Sequence, residues 1–414
     1  MAKSGFTVQP ETQDGERGST PLRIVYVVWF ETRWPLMESV CRGTDRTRFE
    51  ISFVLLNRDT PPLAPVLDEL GIPWIHVPFG RRTHIPRAMR VIWRHCRDVN
   101  PDIIHTHFMN ACLAGLTAAA LRGVPVRIHT RHHAGPVSWK YRRPWQELYD
   151  FYNNALSTTI IAPSGAVRTA LTSRNRVRDD KVTVLHHGFD LDAFDAVSDD
   201  RVRALRERHG IGGAHPVIGI LSRYIATKGI QYVLPAFERL LEKYPDALLL
   251  LAPARGPYQA ELAPLIDRIP ARNRREIPFE DDVHALYKLL DVFVHVPIGP
   301  AVEGFGQVYI EAMAAGVPSI ITRTGIAIEL ARDRENAIVV PYCNSDAIDR
   351  GLRDVLEDDL LRQTIVRNAR SDARAFTARA MIDGLESIYE SAIRKMKTSD
   401  RIVRATTGEG YAEH

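Results

Sequence analysis

Nowhere does the sequence hold the run of about eighteen apolar residues that a bilayer-spanning helix needs. Cysteine is scarce. The four present (Cys41, Cys96, Cys112, Cys343) are scattered with no C-x-x-C pair, which excludes a disulfide framework and a zinc ribbon and points to a reducing cytosol. The opening MAKSGFTVQPETQDGERGST has no apolar segment of the signal type, so a cytoplasmic location is expected. No G-x-G-x-x-G follows the first apolar run, which makes a dinucleotide-dependent oxidoreductase a poor reading. No Asp-x-Asp motif stands on a loop after an apolar strand. The acid pairs at 179–180, 199–200, 281–282 and 358–359 read as polar surface, so neither a metal nor another cofactor is expected. There is no short-period repeat.

What the chain does have is a globular composition, 45% hydrophobic and 25% charged over 414 residues, enough for two domains with separate cores. Apolar, β-branched runs at 22–30 (LRIVYVVWF), 51–56, 103–105, 126–129, 159–162 and 182–185 alternate with helix-like segments such as 111–121 (ACLAGLTAAAL). That alternation predicts a parallel sheet covered on both faces. Around 188–216 the text turns polar, acidic and Gly-rich, and a second series then begins at 217–221, 247–252, 292–295, 319–321 and 337–340. Two doubly wound α/β domains follow: 21–190 and 216–378, joined by a linker at 191–215. A helix at 379–397 returns to the first domain, and tails lie at 1–20 and 398–414. Ligands of such sheets bind beyond the carboxyl ends of the strands, so two facing sheets make a cleft.

Two stretches carry chemistry. In EGFGQVYIEAMAAGVP, Glu303 and Glu311 bracket Gly304, Phe305 and Gly306 at a helix entry. A helical rise separates the acids by at most ~12 Å, which suits two polyol groups of one ligand, and the glycines let backbone N–H groups approach an anion. In SRYIATKG, directly after the apolar VIGIL, Arg223 can chelate phosphate oxygens and Lys228 can act as a point charge beside them.

Together these motifs resemble those of family-four glycosyltransferases of the GT-B fold, in which two Rossmann-like domains face across a cleft. EGFGQVYIEAMAAGVPSI matches that family's E-x7-E signature, and SRYIATKG its Arg…Lys-Gly phosphate loop. DIIHTHFMNACLAGLTAAALRGVPVRIHTRHH resembles the segment leading to the family's active-site histidine, and DVHALYKLLDVFVHVP the strand and helix before the E-x7-E loop. LHHGFDLDAF resembles the interdomain segment, with His187 where relatives usually have Asn. The likeness runs over about 22–395.

The resemblance implies a metal-independent, retaining hexosyltransferase that takes a nucleotide-sugar, UDP-sugar before GDP-sugar. The acceptor is a hydroxyl of a glycan, a lipid-linked compound or a small molecule. It implies that Arg223 and Lys228 hold the diphosphate, that Glu303 bonds the transferred sugar and Glu311 the ribose, and that Gly304, Phe305 and Gly306 present backbone donors. The histidine maps onto His132, with His133 the alternative. Arg33, His133, Trp139 and Arg142 are candidates on the acceptor side. Where relatives carry glycines after the first strand, 29–35 (WFETRWP) has none, which implies an altered acceptor pocket. The same architecture serves non-hydrolysing nucleotide-sugar epimerases and could serve a binding protein that has lost catalysis.

The front of the chain is basic: 21–150 holds 18 Arg and Lys against 11 Asp and Glu. Arg87, Arg90, Arg94 and Arg97 share one helical face, and 139–145 (WKYRRPW) interleaves aromatics with cations. One reading is a solvated helix packed on its own sheet, and another is peripheral contact with an anionic membrane at the inner leaflet. No nucleic-acid module accompanies the pattern, so nucleic acid is not an expected partner.

Overall fold

The computed structural model describes residues 20–135 and 144–407, with side chains through 398 except those of 144–146. Buried β-branched runs form the strands, as the periodicity demands. The first sheet comprises β1 (Leu22–Val28), β2 (Phe49–Asn57), β3 (Trp74–Pro78), β4 (Ile103–His107), β5 (Val126–Thr130), β6 (Thr159–Ala162) and β7 (Val182–Val184), in the order β3-β2-β1-β4-β5-β6-β7. The second comprises β8 (Val217–Leu221), β9 (Leu248–Ala252), β10 (Arg274–Glu276), β11 (Val292–His295), β12 (Ser319–Ile321) and β13 (Ile338–Val339), in the order β10-β9-β8-β11-β12-β13. All pairings within both sheets are parallel.

Strands β3 and β10 went unpredicted, and both are sheet edges. An edge strand is covered on fewer sides, so WIHVP and Arg274-Arg275-Glu276 need no continuous apolar text. Strand order reverses between β1 and β4 in one sheet and between β8 and β11 in the other, which opens a crevice at the carboxyl ends of each.

The helices that position the site are α1 (Pro35–Gly43), α2 (Ile85–Val99), α3 (Met109–Arg122), α4 (Pro144–Leu156), α5 (Ile230–Leu240), α6 (Gln307–Ala315) and α7 (Ala378–Thr407). Residues 191–215 supply Phe194, Leu205 and Ile211 to the buried core of the second domain. Helix α7 runs the other way in space: Met381, Ile382, Leu385, Tyr389 and Ile393 are buried in the core of the first domain, beside α1 and the sheet. Its Tyr389 hydroxyl bonds the Tyr26 hydroxyl and, at 2.7 Å, His105 Nδ1. Glu386 ties the same helix to the loop after α1 by accepting from the Asp45 N–H at 2.8 Å and from Arg48 at 2.9 Å. The helix continues through Thr407, into the stretch expected as a tail. No helix among the described residues is long and apolar enough to cross a membrane.

Because α7 is encoded last yet fills the first core, truncating one of its buried side chains should destabilise that core. We expect Leu385→Ala, at a site 5% exposed, to cost about 2–5 kcal/mol in urea unfolding followed by tryptophan fluorescence. A loss below about 0.5 kcal/mol would mean that α7 is an appendage to the first domain.

Candidate functional site

The second domain contributes three loops, each leaving the carboxyl end of a strand. After β8 the chain enters 222–229 and turns into α5 at Gly229, whose φ of +77° favours glycine. A Cβ there would lie 1.9 Å from the Val296 carbonyl oxygen, so this loop can rest on the loop after β11 only with glycine at 229. On it, Arg223 is exposed and has no carboxylate within ion-pair distance among the described residues. Lys228, near the end of the loop, forms an ion pair with Glu303 from the loop after β11. His295, the last residue of β11, stands 3.6 Å from the same carboxylate oxygen. The Glu303 N–H donates to Thr324 Oγ1 at 3.3 Å, which ties the acid to the loop after β12. Burial pushes the Glu303 carboxyl up, but Lys228, His295 and Arg223 outweigh it and hold the group below the usual carboxylate range. Burial also keeps His295 neutral, its pKa lowered to about 4.

Helix α6 starts at Gln307 after Gly306, which has a φ of +87°. One turn in, Glu311 accepts from the Tyr287 hydroxyl at 2.8 Å and from Gln307 Nε2 at 2.7 Å. Burial pushes its carboxyl up, against those two bonds. The two glutamates therefore differ. Glu303 is a carboxylate clamped by a cation, and Glu311 is a buried carboxyl group held by neutral donors.

The first domain supplies an imidazole-rich wall. His107 ends β4, and its Nδ1 lies 3.1 Å from His132 Nε2 in the loop after β5. His132 stacks on Phe108, with ring centroids 4.7 Å apart, and meets the edge of Trp34 at 5.6 Å. Phe108 holds a φ of +69°, a strained backbone for a non-glycine residue, directly at this stack. Burial, with His187 and His133 nearby, lowers the His132 pKa well below its ordinary value. Its Nδ1 has no hydrogen-bond partner among the described residues. His133 turns away: its Nε2 lies 3.4 Å from Asp150 of α4, which also accepts from Arg131 at 2.8 Å.

The two walls meet backbone to backbone. A Cβ on Gly304 would stand 2.2 Å from the His132 carbonyl oxygen, and one on Gly135 would stand 2.5 Å from that of Ala301. Ser164 Oγ donates to the Gly304 carbonyl at 2.6 Å, and Glu329 accepts from the Gly165 N–H at 2.6 Å. Phe305 is buried against His187, with ring centroids 4.7 Å apart.

Of the predicted residues, the structure brings Lys228, Glu303, Gly304, Phe305 and His132 into one neighbourhood, with Arg223 and Glu311 on adjoining loop and helix. Arg33 lies at the rim, 76% exposed and bound to Glu38 at 2.7 and 2.8 Å. Trp139 and Arg142 lie outside the described residues. Sequence reasoning noted His187 and the loop holding Trp34 only as departures from the family pattern, and gave no site role to these or to His107, Tyr287 and His295. Only position could have found them, since His107 and His295 are the last residues of buried strands. The glycine-free loop after β1 places Trp34 against His107 and His132, a side chain in the stretch where relatives carry glycines. No group of three or more His, Cys, Asp or Glu side chains converges as a metal site among the described residues.

Comparison with known proteins follows the same division of the chain. Residues 202–372 match the family model for glycosyl transferases group 1, and residues 36–193 match that for glycosyltransferase family 4. A glycosyltransferase of Methanocaldococcus jannaschii, itself uncharacterised, is 31% identical over 66% of this chain and 70% of its own. The GDP-mannose-dependent alpha-(1-6)-phosphatidylinositol monomannoside mannosyltransferase of Mycolicibacterium smegmatis is 35% identical over 41% of this chain and 46% of its own. Among solved structures, Anabaena HepE in complex with UDP and glucose superposes with a TM-score of 0.75 at 20% identity, over 89% of this chain and all of that one. The architecture is thus that of GT-B glycosyltransferases.

The buried imidazoles set a pH dependence. His105 and His129 are held to about 3 and His295 to about 4 by burial, whereas unfolded histidines take up protons near about 6.5. Between those values the unfolded chain binds more protons, so stability falls as pH drops from about 7 towards about 4. The urea midpoint should be lower at about pH 5 than at about pH 7.5. An equal or higher midpoint at the acid end would show that these imidazoles are protonated in the folded protein.

Proposed function

The chain belongs to the glycosyltransferases of group 1 and family 4, which use nucleotide-sugar donors, and from that premise we propose the finer reaction. A sugar moves from a UDP-sugar, with retention of anomeric configuration and without a metal, to a hydroxyl of a glycan, glycolipid or small molecule. The observation that carries the reading is the Lys228–Glu303 pair beside an Arg223 that has no carboxylate within ion-pair distance among the described residues. One cation is already matched to the carboxylate and the other is free for an anion.

In this reading Arg223 and Lys228 take the diphosphate and Glu303 accepts from hydroxyls of the transferred sugar. The ribose hydroxyls donate to Glu311, whose orientation Tyr287 and Gln307 fix. The backbone at Gly304, Phe305 and Gly306 donates near the sugar and phosphate. Neutral His132 offers Nδ1 to a sugar hydroxyl, and His107 holds its other nitrogen. As the anomeric C–O bond breaks, its electron pair goes to the departing phosphate oxygen, where fixed cations stabilise the developing charge more than they stabilise the ground state. The acceptor oxygen bonds the anomeric carbon on the same face, and its proton passes to that phosphate oxygen. UDP is preferred because a structural neighbour holds UDP with glucose. The mycobacterial relative's GDP-mannose supports guanosine as the second reading.

Saturation-transfer NMR against UDP-, GDP- and ADP-sugars in the presence of a chelator tests this. UDP-sugar binding is expected, weakened at least about thirtyfold by Arg223→Ala, because an anion loses its charged partner. Glu303→Gln should leave nucleotide binding nearly intact while cutting turnover by about 100-fold or more. A folded Arg223→Ala variant that binds the donor normally refutes the diphosphate assignment. A product of inverted anomeric configuration refutes retention.

A further inference from the structure

The transferase reading makes no use of the outer face of the first domain, where α2, α3 and α4 lie side by side on one side of the sheet. Five of the nine exposed large apolar side chains among the described residues lie there: Trp93, Leu121, Leu148, Phe151 and Tyr152. Leu121 is 72% and Phe151 68% exposed, far more than a helix needs for its own packing. The inward side of α2 is satisfied separately, by Ala88, Ile92 and Cys96 in the core under the sheet. The solvated-helix reading therefore accounts for that side alone.

Positive charge predominates on this face, and the exposed Glu147 of α4 is held by Arg174 at 3.2 Å. Residues 79–122 contain seven arginines and only two acids, Asp98 and Asp102. Asp98 is taken by Arg97, and Asp102 accepts from the backbone of Arg23. Arg81, Arg87, Arg90 and Arg94 have no carboxylate within ion-pair distance among the described residues. The cations and the apolar groups are interleaved in space as well. Arg122 lies over the Trp93 ring at 5.9 Å, and Arg82 over the Tyr149 ring of α4 at 5.2 Å.

We propose that this face docks on an anionic lipid bilayer, with the arginines at the headgroups and the apolar side chains in the acyl boundary. Aliphatic Leu121 and Leu148 gain from lipid but offer nothing for a nucleic-acid base to stack on. A second copy of the same face is repelled by like charge. Helix α4 carries the surface to the site: Phe151 faces outward, while its neighbour Asp150 accepts from Arg131 and lies 3.4 Å from His133 in the site loop. Resting on the transferase reading, the surface narrows the acceptor to one carried at the lipid surface.

Flotation of the full chain with vesicles decides the matter. Binding is expected to vesicles of equimolar phosphatidylcholine and phosphatidylglycerol and not to phosphatidylcholine alone. Combined R87E, R90E and R94E should weaken it on the order of a hundredfold, given the contribution of each arginine near an anionic surface. Combined L148S and F151S should weaken it independently. Both variants should bind nucleotide-sugar as the parent does, so failure of the surface and failure of the donor site are read separately. Indifference of the parent to lipid charge, or parental binding by the arginine variant, overturns the proposal. So does tighter binding to a short RNA duplex than to the anionic vesicles.

Discussion

The site depends on one close approach, that of Gly304 to the His132 backbone. The loop after β11 in one sheet and the loop after β5 in the other touch where a single methyl group would lie 2.2 Å from a carbonyl oxygen. This contact lets a carboxylate and a cation from one domain share a neighbourhood with an imidazole from the other. Ser164 caps the Gly304 carbonyl, and Gly135 repeats the arrangement against Ala301, so the approach is built from several short backbone contacts. A side chain at any of these glycines would force the walls apart and separate the groups that must act together.

Electrostatically the walls are unlike. The second domain presents fixed charge, with Arg223, Lys228 and Glu303 on loops whose turns are set by glycine. The first presents neutral imidazoles, held uncharged by burial and by one another: His105 on Tyr389 and Thr130, and His107 on His132. A neutral wall opposite a charged one makes chemical sense for a donor with an anionic diphosphate at one end and a polyol at the other. The charged end finds cations, and the sugar finds groups that exchange hydrogen bonds without drawing the phosphate toward them.

Much of this was legible in the sequence. Continuous β-branched runs marked eleven of the thirteen strands, and their alternation with helices gave the class. The E-x7-E and Arg…Lys-Gly stretches were readable because each is local, with residue types and glycines at fixed offsets on one loop or helix. What escaped was edge or assembled. Strand β10 carries polar text and β3 an apolar run broken by His76, as an edge that needs less cover allows. The His107–His132 contact, the Trp34 packing and the Lys228–Glu303 pair each join residues from different loops, separated by 25, 98 and 75 positions. No periodicity encodes such pairs. The sequence named Lys228 and Glu303 as contacts of one ligand, but their contact with each other needed the two loops to be folded together.

The same logic extends to how the domains are joined. The chain crosses from first to second domain through 185–190 and returns at 376–378, and the crossings lie against each other. The Phe189 N–H donates to the Phe376 carbonyl at 2.9 Å, and the Ala378 N–H to the Phe189 carbonyl at 2.8 Å. Gly188 permits this, since a Cβ there would stand 2.3 Å from the Thr377 carbonyl oxygen. Beyond the crossing, α7 is committed to the first core, and 191–215 is committed to the second. Any separation of the sheets must therefore turn about this doubled crossing, because displacing either strand of it would pull a buried helix from its domain. The contacts at the cleft mouth that such a turn would break include Gly304 on His132, Gly135 on Ala301, Ser164 on Gly304, and Glu329 on Gly165 and His186. None of these buries a large apolar side chain, so the closed arrangement costs little to open compared with either core.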